Sequence, residues 1–271
     1  MDPLRPIEIA GDVVRRPAAA WTPTVHAFLR HLRSAGLDCV PEPLGIDADT
    51  ETLGYLPGAS GRDGWFAQHS LDGLRSAARL LRRLHDASIG WSPPVDAVWA
   101  APVWCDPHPE GFEQAGSVQE ASVREASERV ASERVMCHGD PGPWNVVWDG
   151  DEAIGLIDWD FLHPGSRLDD VAYALRWFAP ARSDEHALEW HHFPEVPDRR
   201  ERIDAFLAAY GALPEFDHVE AIARRIETTM AIERSFADAG VEPQRTWVAE
   251  GHLDEEAAEV RWVREHRALL E

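Results

Sequence analysis

The stretch from Cys137 to Asp160 reads C-H-G-D-P-G-P-W-N-V-V-W-D-G-D-E-A-I-G-L-I-D-W-D. It sets His138, Asp140 and Asn145 on a short Pro/Gly-rich loop, and Asp158 follows the second of two apolar runs. Val146-Val147-Trp148 is β-branched and aromatic, Asp149-Gly150 is a strong turn sequence, and Ile154–Ile157 makes the return strand. Pairing these strands brings Asn145, before the first, near Asp158, after the second. Phosphoryl transfer needs groups in this order. One carboxylate faces an acceptor hydroxyl, and an amide and a second carboxylate hold magnesium on nucleotide phosphates. Magnesium suits such oxygen donors because it is a hard ion that keeps water and phosphate oxygens in its shell.

Protein kinases carry H-R-D-x-x-x-x-N followed by D-F-G. Here the runs are H-G-D-x-x-x-x-N, His138 to Asn145, and Asp158-Trp159-Asp160. On these residues the chain resembles the aminoglycoside phosphotransferase family, kinase-like enzymes that phosphorylate small molecules. The resemblance implies Asp140 as the catalytic carboxylate, Asn145 and Asp158 as Mg2+ ligands, and ATP or GTP as co-substrate. It also implies that Arg15 or Arg16, with Arg15 slightly favoured, touches the phosphates where the family has a strand lysine. Backbone near Tyr55 and Leu56 would receive the base. His138, Asp160, Asp169 and Asp170 take supporting positions, one of the last two bracing the catalytic loop. Asp160 shares the face of Asp158 if the chain stays extended, as a further metal contact or a structural residue. His26 stands where the family places a glutamate that pairs with the lysine.

The chain has 271 residues, 44% of them hydrophobic, enough for two small domains or one large one. No run approaches the roughly eighteen apolar residues of a membrane span. The opening M-D-P-L-R-P-I-E lacks the regions of a signal peptide, so a cytoplasmic protein is expected. Cys39, Cys105 and Cys137 show no zinc spacing and read as reduced thiols. Asp and Glu outnumber Lys and Arg by 48 to 26, and a net charge of −22 argues against nucleic acid or anionic membrane as partners. Lysine is absent from the sequence, so a phosphate-contacting lysine cannot exist here.

Pro6–Ala10 and Val13–Arg16 read as a hairpin around Gly11-Asp12, followed by a helix with Thr22 as N-cap and Pro23 at its first position. Two strands within Val40–Leu56 lead to Tyr55-Leu56-Pro57-Gly58, which resembles the kinase hinge. No Gly-rich loop precedes them. Helices are expected from Ser70 to about Ser88, from Leu168 to Phe178, after the capping acids Asp198 and Asp217, and from about Asp254. His85 reads as a core or capping histidine, and the tandem A-S-E-R-V at 126–135 as a lengthened surface helix. The fold class expected is α+β and kinase-like, with a truncated antiparallel lobe at 1–57 and a mainly helical lobe at 58–271.

Acids are dense after the hairpin: Asp158, Asp160, Asp169, Asp170, Asp184, Glu185 and Glu189. They predict a small-molecule acceptor that is cationic or neutral, an aminoglycoside or other amino alcohol, in preference to an anionic one. Because the Gly-rich loop, the lysine and the helix glutamate are all missing, a weakly active pseudokinase that binds nucleotide or ligand stays open. A metal-dependent phosphohydrolase built on His138 and Asp140 leaves Asn145 and the hairpin spacing without a role.

Overall fold

Strands β1 (Glu8–Ala10) and β2 (Val13–Pro17) turn on Gly11, whose φ of +60° suits glycine in a tight hairpin. Strands β3 (Pro43–Asp47) and β4 (Thr50–Gly54) complete an antiparallel sheet in the order β1-β2-β4-β3, and the β2–β4 register sets Arg16 opposite Glu51. The structure, a computed structural model, describes residues 6–101 and 134–271. Cys105 and all but the last two residues of the tandem repeat lie outside the described residues. Helix α1 (Thr22–Ser34) packs against β3 and buries Val25, Phe28, Leu29 and Leu32. Thr22 is its first residue and not its cap, because its hydroxyl accepts from the Ala19 amide at 2.8 Å, outside the helix.

Helix α2 (Leu71–Ser88) starts on Ser70, whose hydroxyl accepts from the Gly73 amide as a true N-cap. Then come β5 (Val135–Cys137), the expected hairpin of β6 (Val146–Asp149) and β7 (Glu152–Leu156), and β8 (His163–Gly165). Strands β5 and β8 pair antiparallel around the hairpin. The sequence reading left that pairing out, because three-residue strands carry too little periodicity to read. Helices α3 (Arg167–Phe178), α4 (Arg199–Tyr210), α5 (His218–Asp238) and α6 (His252–Glu265) follow, with Asp198 and Asp217 capping α4 and α5 as expected.

Helix α2 packs on α4, and α5 packs on both α3 and α6. Leu74 and Leu81 of α2, Phe178 of α3, Phe206 of α4 and Ile222 of α5 belong to one buried cluster. Each such side chain contributes about 1.5–3 kcal/mol on burial, so this seam fixes α3, the helix beneath the loop of interest. The fold is α+β, an antiparallel sheet followed by a mostly helical remainder, as the sequence predicts.

The linker after β4 is stitched to the hairpin. Ala59 and Trp148 exchange backbone hydrogen bonds at 2.9 and 2.8 Å, and the Leu156 amide donates to the Cys39 carbonyl at 2.9 Å. Gly58 passes this junction at φ +148°, where a Cβ would lie 2.6 Å from Val147 Cγ1 and 2.7 Å from the Trp148 carbonyl oxygen. Gly58→Ala is therefore expected to destabilise the protein by about 1–3 kcal/mol. A lower urea midpoint at unchanged slope is the expected reading, and an unchanged midpoint would contradict the tight junction.

Candidate active site

One buried carboxylate shapes the loop after β5. Asp170, on the first turn of α3, accepts from the His138 amide at 2.6 Å, the Gly139 amide at 2.9 Å and His85 Nε2 at 3.0 Å. Gly139 has φ +84°, and a Cβ there would meet the Phe161 carbonyl oxygen at 2.3 Å, so only glycine fits. Its carbonyl accepts from Arg225 Nη2 at 2.6 Å. Asp169 instead completes a capping box with Ser166, whose amide donates to Asp169 Oδ2 at 2.9 Å. Of the two acids, Asp170 is the one beneath the loop.

His138 ties the loop to the hairpin. Its Nδ1 accepts from the Asp140 amide at 3.2 Å, which leaves Nε2 to donate to the Ile157 carbonyl at 2.9 Å. That tautomer is neutral, in keeping with burial pushing the His138 pKa down. The Ile157 amide in turn donates to the Asn145 carbonyl at 2.8 Å, so the hairpin brings Asn145 and the Asp158 end together as expected.

Asp140 lines a cavity of about 860 Å³. Three donors hold its carboxylate: Tyr173 Oη to Oδ1 at 2.6 Å, and Asn145 Nδ2 and Trp144 Nε1 to Oδ2 at 2.9 and 3.3 Å. Burial pushes the Asp140 pKa up to about 7, the Asp158 charge adds to the rise, and the three hydrogen bonds oppose it. An oriented base poised near neutrality suits proton transfer from a hydroxyl. Asn145 Nδ2 also donates to the Asp140 carbonyl at 2.9 Å, which turns its amide oxygen away from the aspartate. Trp144 and Tyr173 escaped the sequence reading. Tyr173 follows Asp170 by three on α3, a spacing that puts both on one helix face, and that was the available clue.

Arg16 reaches the same region from β2. Its Nη1 donates to Asp158 Oδ1 at 2.7 Å, its Nη2 to Asp160 Oδ1 at 2.9 Å and its Nε to Glu51 Oε1. Of the two arginines, strand alternation leaves Arg15 exposed and turns the buried Arg16 toward the hairpin acids. His26 lies at the expected place in α1 but does not stand in for the missing glutamate. It bonds Glu51 Oε2 at 3.0 Å, so β4 supplies the carboxylate. Burial alone would raise the Glu51 pKa, and His26 and Arg16 hold it below the ordinary value. Tyr55 is exposed, and its amide donates to the Asp12 carbonyl at 2.8 Å.

The oxygen donors of Asn145, Asp158 and Asp160 suit a hard divalent ion such as magnesium, and Asp158 is 48% exposed, open to a bound group. Most of the acids behind the expected cationic acceptor lie elsewhere. Asp158 and Asp160 face Arg16, Asp169 and Asp170 serve α3 and its loop, and Asp184 pairs with Arg199 at 2.9 Å. The acids that line the cavity beside Asp140 are Glu233, Glu255, Glu256 and Glu259 from α5 and α6. Packing of distant helices, invisible in local spacing, puts them there.

Burial opposes the charge on Asp170, yet the His85 hydrogen bond and the neighbouring imidazoles hold its pKa well below the ordinary value. Its contribution to stability is therefore complete above the unfolded carboxylate pKa of about 3.9 and is lost as pH falls through the lower folded value. Asp170→Asn, which sets an amide against three donors, should cost about 2–4 kcal/mol in chemical denaturation at neutral pH. The gap between the two proteins should narrow below about pH 4. A gap independent of pH would contradict an ionised carboxylate as its source.

Known proteins share this architecture. A putative aminoglycoside phosphotransferase from Ralstonia eutropha JMP134 superposes with a TM-score of 0.58 at 12% identity, covering 96% of this chain and 93% of that one. The GDP complex of aminoglycoside 2'-phosphotransferase-IIIa gives a TM-score of 0.54 at 12% identity, covering 97% and 90%. A choline/ethanolamine kinase family protein from Mesorhizobium loti gives 0.52 at 17% identity, covering 96% and 90%. At such identities the likeness shows the fold, a kinase-like phosphotransferase fold. In sequence, the trifolitoxin immunity protein of Rhizobium leguminosarum bv. trifolii is 28% identical over 204 residues, 74% of this chain and 68% of that protein. The profile of the phosphotransferase enzyme family matches residues 13–221, most of the chain and all of the loop, hairpin and Arg16 cluster, and the protein belongs to that family.

Proposed function

We propose that the protein transfers the γ-phosphoryl group of ATP or GTP to a hydroxyl of a small, cationic or neutral molecule. The observation that carries this reading is Asp140, fixed by Tyr173, Trp144 and Asn145 at the wall of a large cavity. In the transfer, the acceptor oxygen bonds the γ-phosphorus as the bond to the β–γ bridging oxygen breaks. The hydroxyl proton passes to Asp140, and the nucleoside diphosphate leaves with the electron pair. Asn145 and Asp158 would hold magnesium, with Asp160 alongside, and the ion neutralises phosphate charge when bound. Arg16 supplies a fixed cation beside these acids, oriented by Glu51. The nucleotide would lie between the lobe at 1–57 and the lobe at 58–271, its base near Tyr55 and Leu56.

The names of the structural neighbours, aminoglycoside phosphotransferase and choline/ethanolamine kinase, support a hydroxyl-bearing amine as acceptor. The relative named for immunity to trifolitoxin supports protection against a toxic compound as the setting. A second reading, a nucleotide-binding protein with little turnover, draws on Arg16: its guanidinium already engages both Asp158 and Asp160, the acids magnesium would need.

Asp140→Asn should lower kcat by about 10²–10⁴-fold with nucleotide binding by calorimetry nearly unchanged. Asp158→Asn should instead weaken the magnesium-dependent part of that binding. Turnover of Asp140→Asn at the parent rate would contradict the proposed role, and nucleotide binding without turnover across a panel of hydroxylated amines would favour the second reading. Wild-type affinity for ATP should depend strongly on magnesium, and tight binding in EDTA would point to a phosphate cradle other than the one described.

A further inference from the structure

Arg16 is a cation that the protein itself fixes in place. Its guanidinium carries five N–H groups, and three are committed: Nε to Glu51, Nη1 to Asp158 Oδ1 at 2.7 Å and Nη2 to Asp160 Oδ1 at 2.9 Å. Glu51 is secured in turn by His26, and Arg16, Glu51 and His26 are all buried. Burial opposes the Arg16 charge, yet Asp160, Asp158 and Glu51 hold its pKa above the ordinary value, so the cation is permanent. One N–H on each Nη remains. The group can therefore hold both aspartates and still donate to an anion, and metal ions do the same bridging between acids and phosphate oxygens in phosphoryl transfer.

The oxygens around Arg16 fall into two sets. Asp158 Oδ1 and Asp160 Oδ1 already face a cation, and a divalent ion on the same atoms would meet like-charge repulsion. Asp158 Oδ2 and Asn145 Oδ1 have no hydrogen-bond partner among the described residues. They belong to the two residues that the hairpin brings together, and Asp158 is open to a bound group. Asp158 also adopts φ +62°, a left-handed conformation that residues other than glycine seldom take and that recurs at functional sites. One oxygen from each residue suits one hard ion, with water and phosphate oxygens completing its shell. A second ion would have to displace Arg16 from a carboxylate and leave a buried guanidinium short of partners.

Resting on the reading of Asn145 and Asp158 as the magnesium ligands, we propose that Arg16 stands in for a second divalent ion. Asp160 and Asp158 Oδ1 stay on the guanidinium, and a single ion is held by Asn145 Oδ1 and Asp158 Oδ2. The two spare N–H groups of Arg16 are left for phosphate oxygens. Glu51 and His26 are then positioning residues for a cation that is present before any metal binds.

The test counts metal ions and does not depend on turnover. Full-length protein in slight excess over a non-hydrolysable ATP analogue is titrated with Mn2+, and free Mn2+ is measured by electron paramagnetic resonance. The parent protein should bind one Mn2+ per bound nucleotide, and Arg16→Gln should bind two. Asp160→Asn keeps the cation and tests the same assignment if Arg16→Gln does not fold. It should still bind one Mn2+, with a Kd within about fivefold of the parent value. Two ions in the parent protein, one ion in a folded Arg16→Gln, or a greater weakening in Asp160→Asn would each overturn the proposal. Two ions in the parent protein would leave phosphoryl transfer standing. One ion without turnover of any hydroxylated amine would support the Arg16 assignment and count against phosphoryl transfer alone. No Mn2+ retained with the nucleotide would overturn both.

Discussion

Asp170 is a carboxylate with no access to solvent, and donors from two distant parts of the chain converge on it. Removing a charge from water costs several kcal/mol unless hydrogen bonds replace the lost hydration. Here the replacements are two loop amides and His85, groups that would themselves be orphaned without the carboxylate. The position in the first turn of α3 adds the favourable end of the helix dipole. One interaction thus locks α2, the loop and α3 in a single arrangement. Tyr173, one turn further along α3, reaches Asp140, so the helix that anchors the loop also orients its carboxylate. The apolar seam of α2, α4 and α5 matters to the site chiefly because it fixes that helix.

The second organising feature is a charge cluster built around arginine. The three nitrogens of Arg16 address three carboxylates from two parts of the chain: Glu51 of β4, then Asp158 and Asp160 after the hairpin. A lysine ammonium, a point charge at the end of a flexible stem, does not spread over three such partners in fixed directions. The partner carboxylate comes from the neighbouring strand and not from α1. Arg16 and Glu51 are a cross-strand pair, so sheet register, and not helix position, sets their geometry. His26 then secures Glu51 from α1.

What could be read from the sequence was local. Loop, hairpin and helix caps are encoded within a few residues: turn dipeptides, capping acids, and a glycine at Gly139 with no room for a side chain. The proximity of Asn145 to the Asp158 end followed from hairpin pairing alone. What escaped was long-range. Glu51 needed the β2–β4 register, 35 positions apart in the chain, and β5–β8 needed a pairing across the whole hairpin. The carboxylates of the cavity sit on α5 and α6, and only the packing of those helices brings them to Asp140. The acids counted after the hairpin are not the ones that line this cavity.

The central claim is a division of labour: Asp140 serves the acceptor, while Asn145 and Asp158 serve the metal. The most direct measurement is a crystal structure with magnesium, a non-hydrolysable ATP analogue and a bound hydroxyl compound. The account predicts the ion on the Asn145 amide oxygen and an Asp158 carboxylate oxygen, with Asp140 hydrogen-bonded to the acceptor hydroxyl and the contacts of Asp170 unchanged. An ion held by Asp140 and His138, with Asn145 uninvolved, would contradict it.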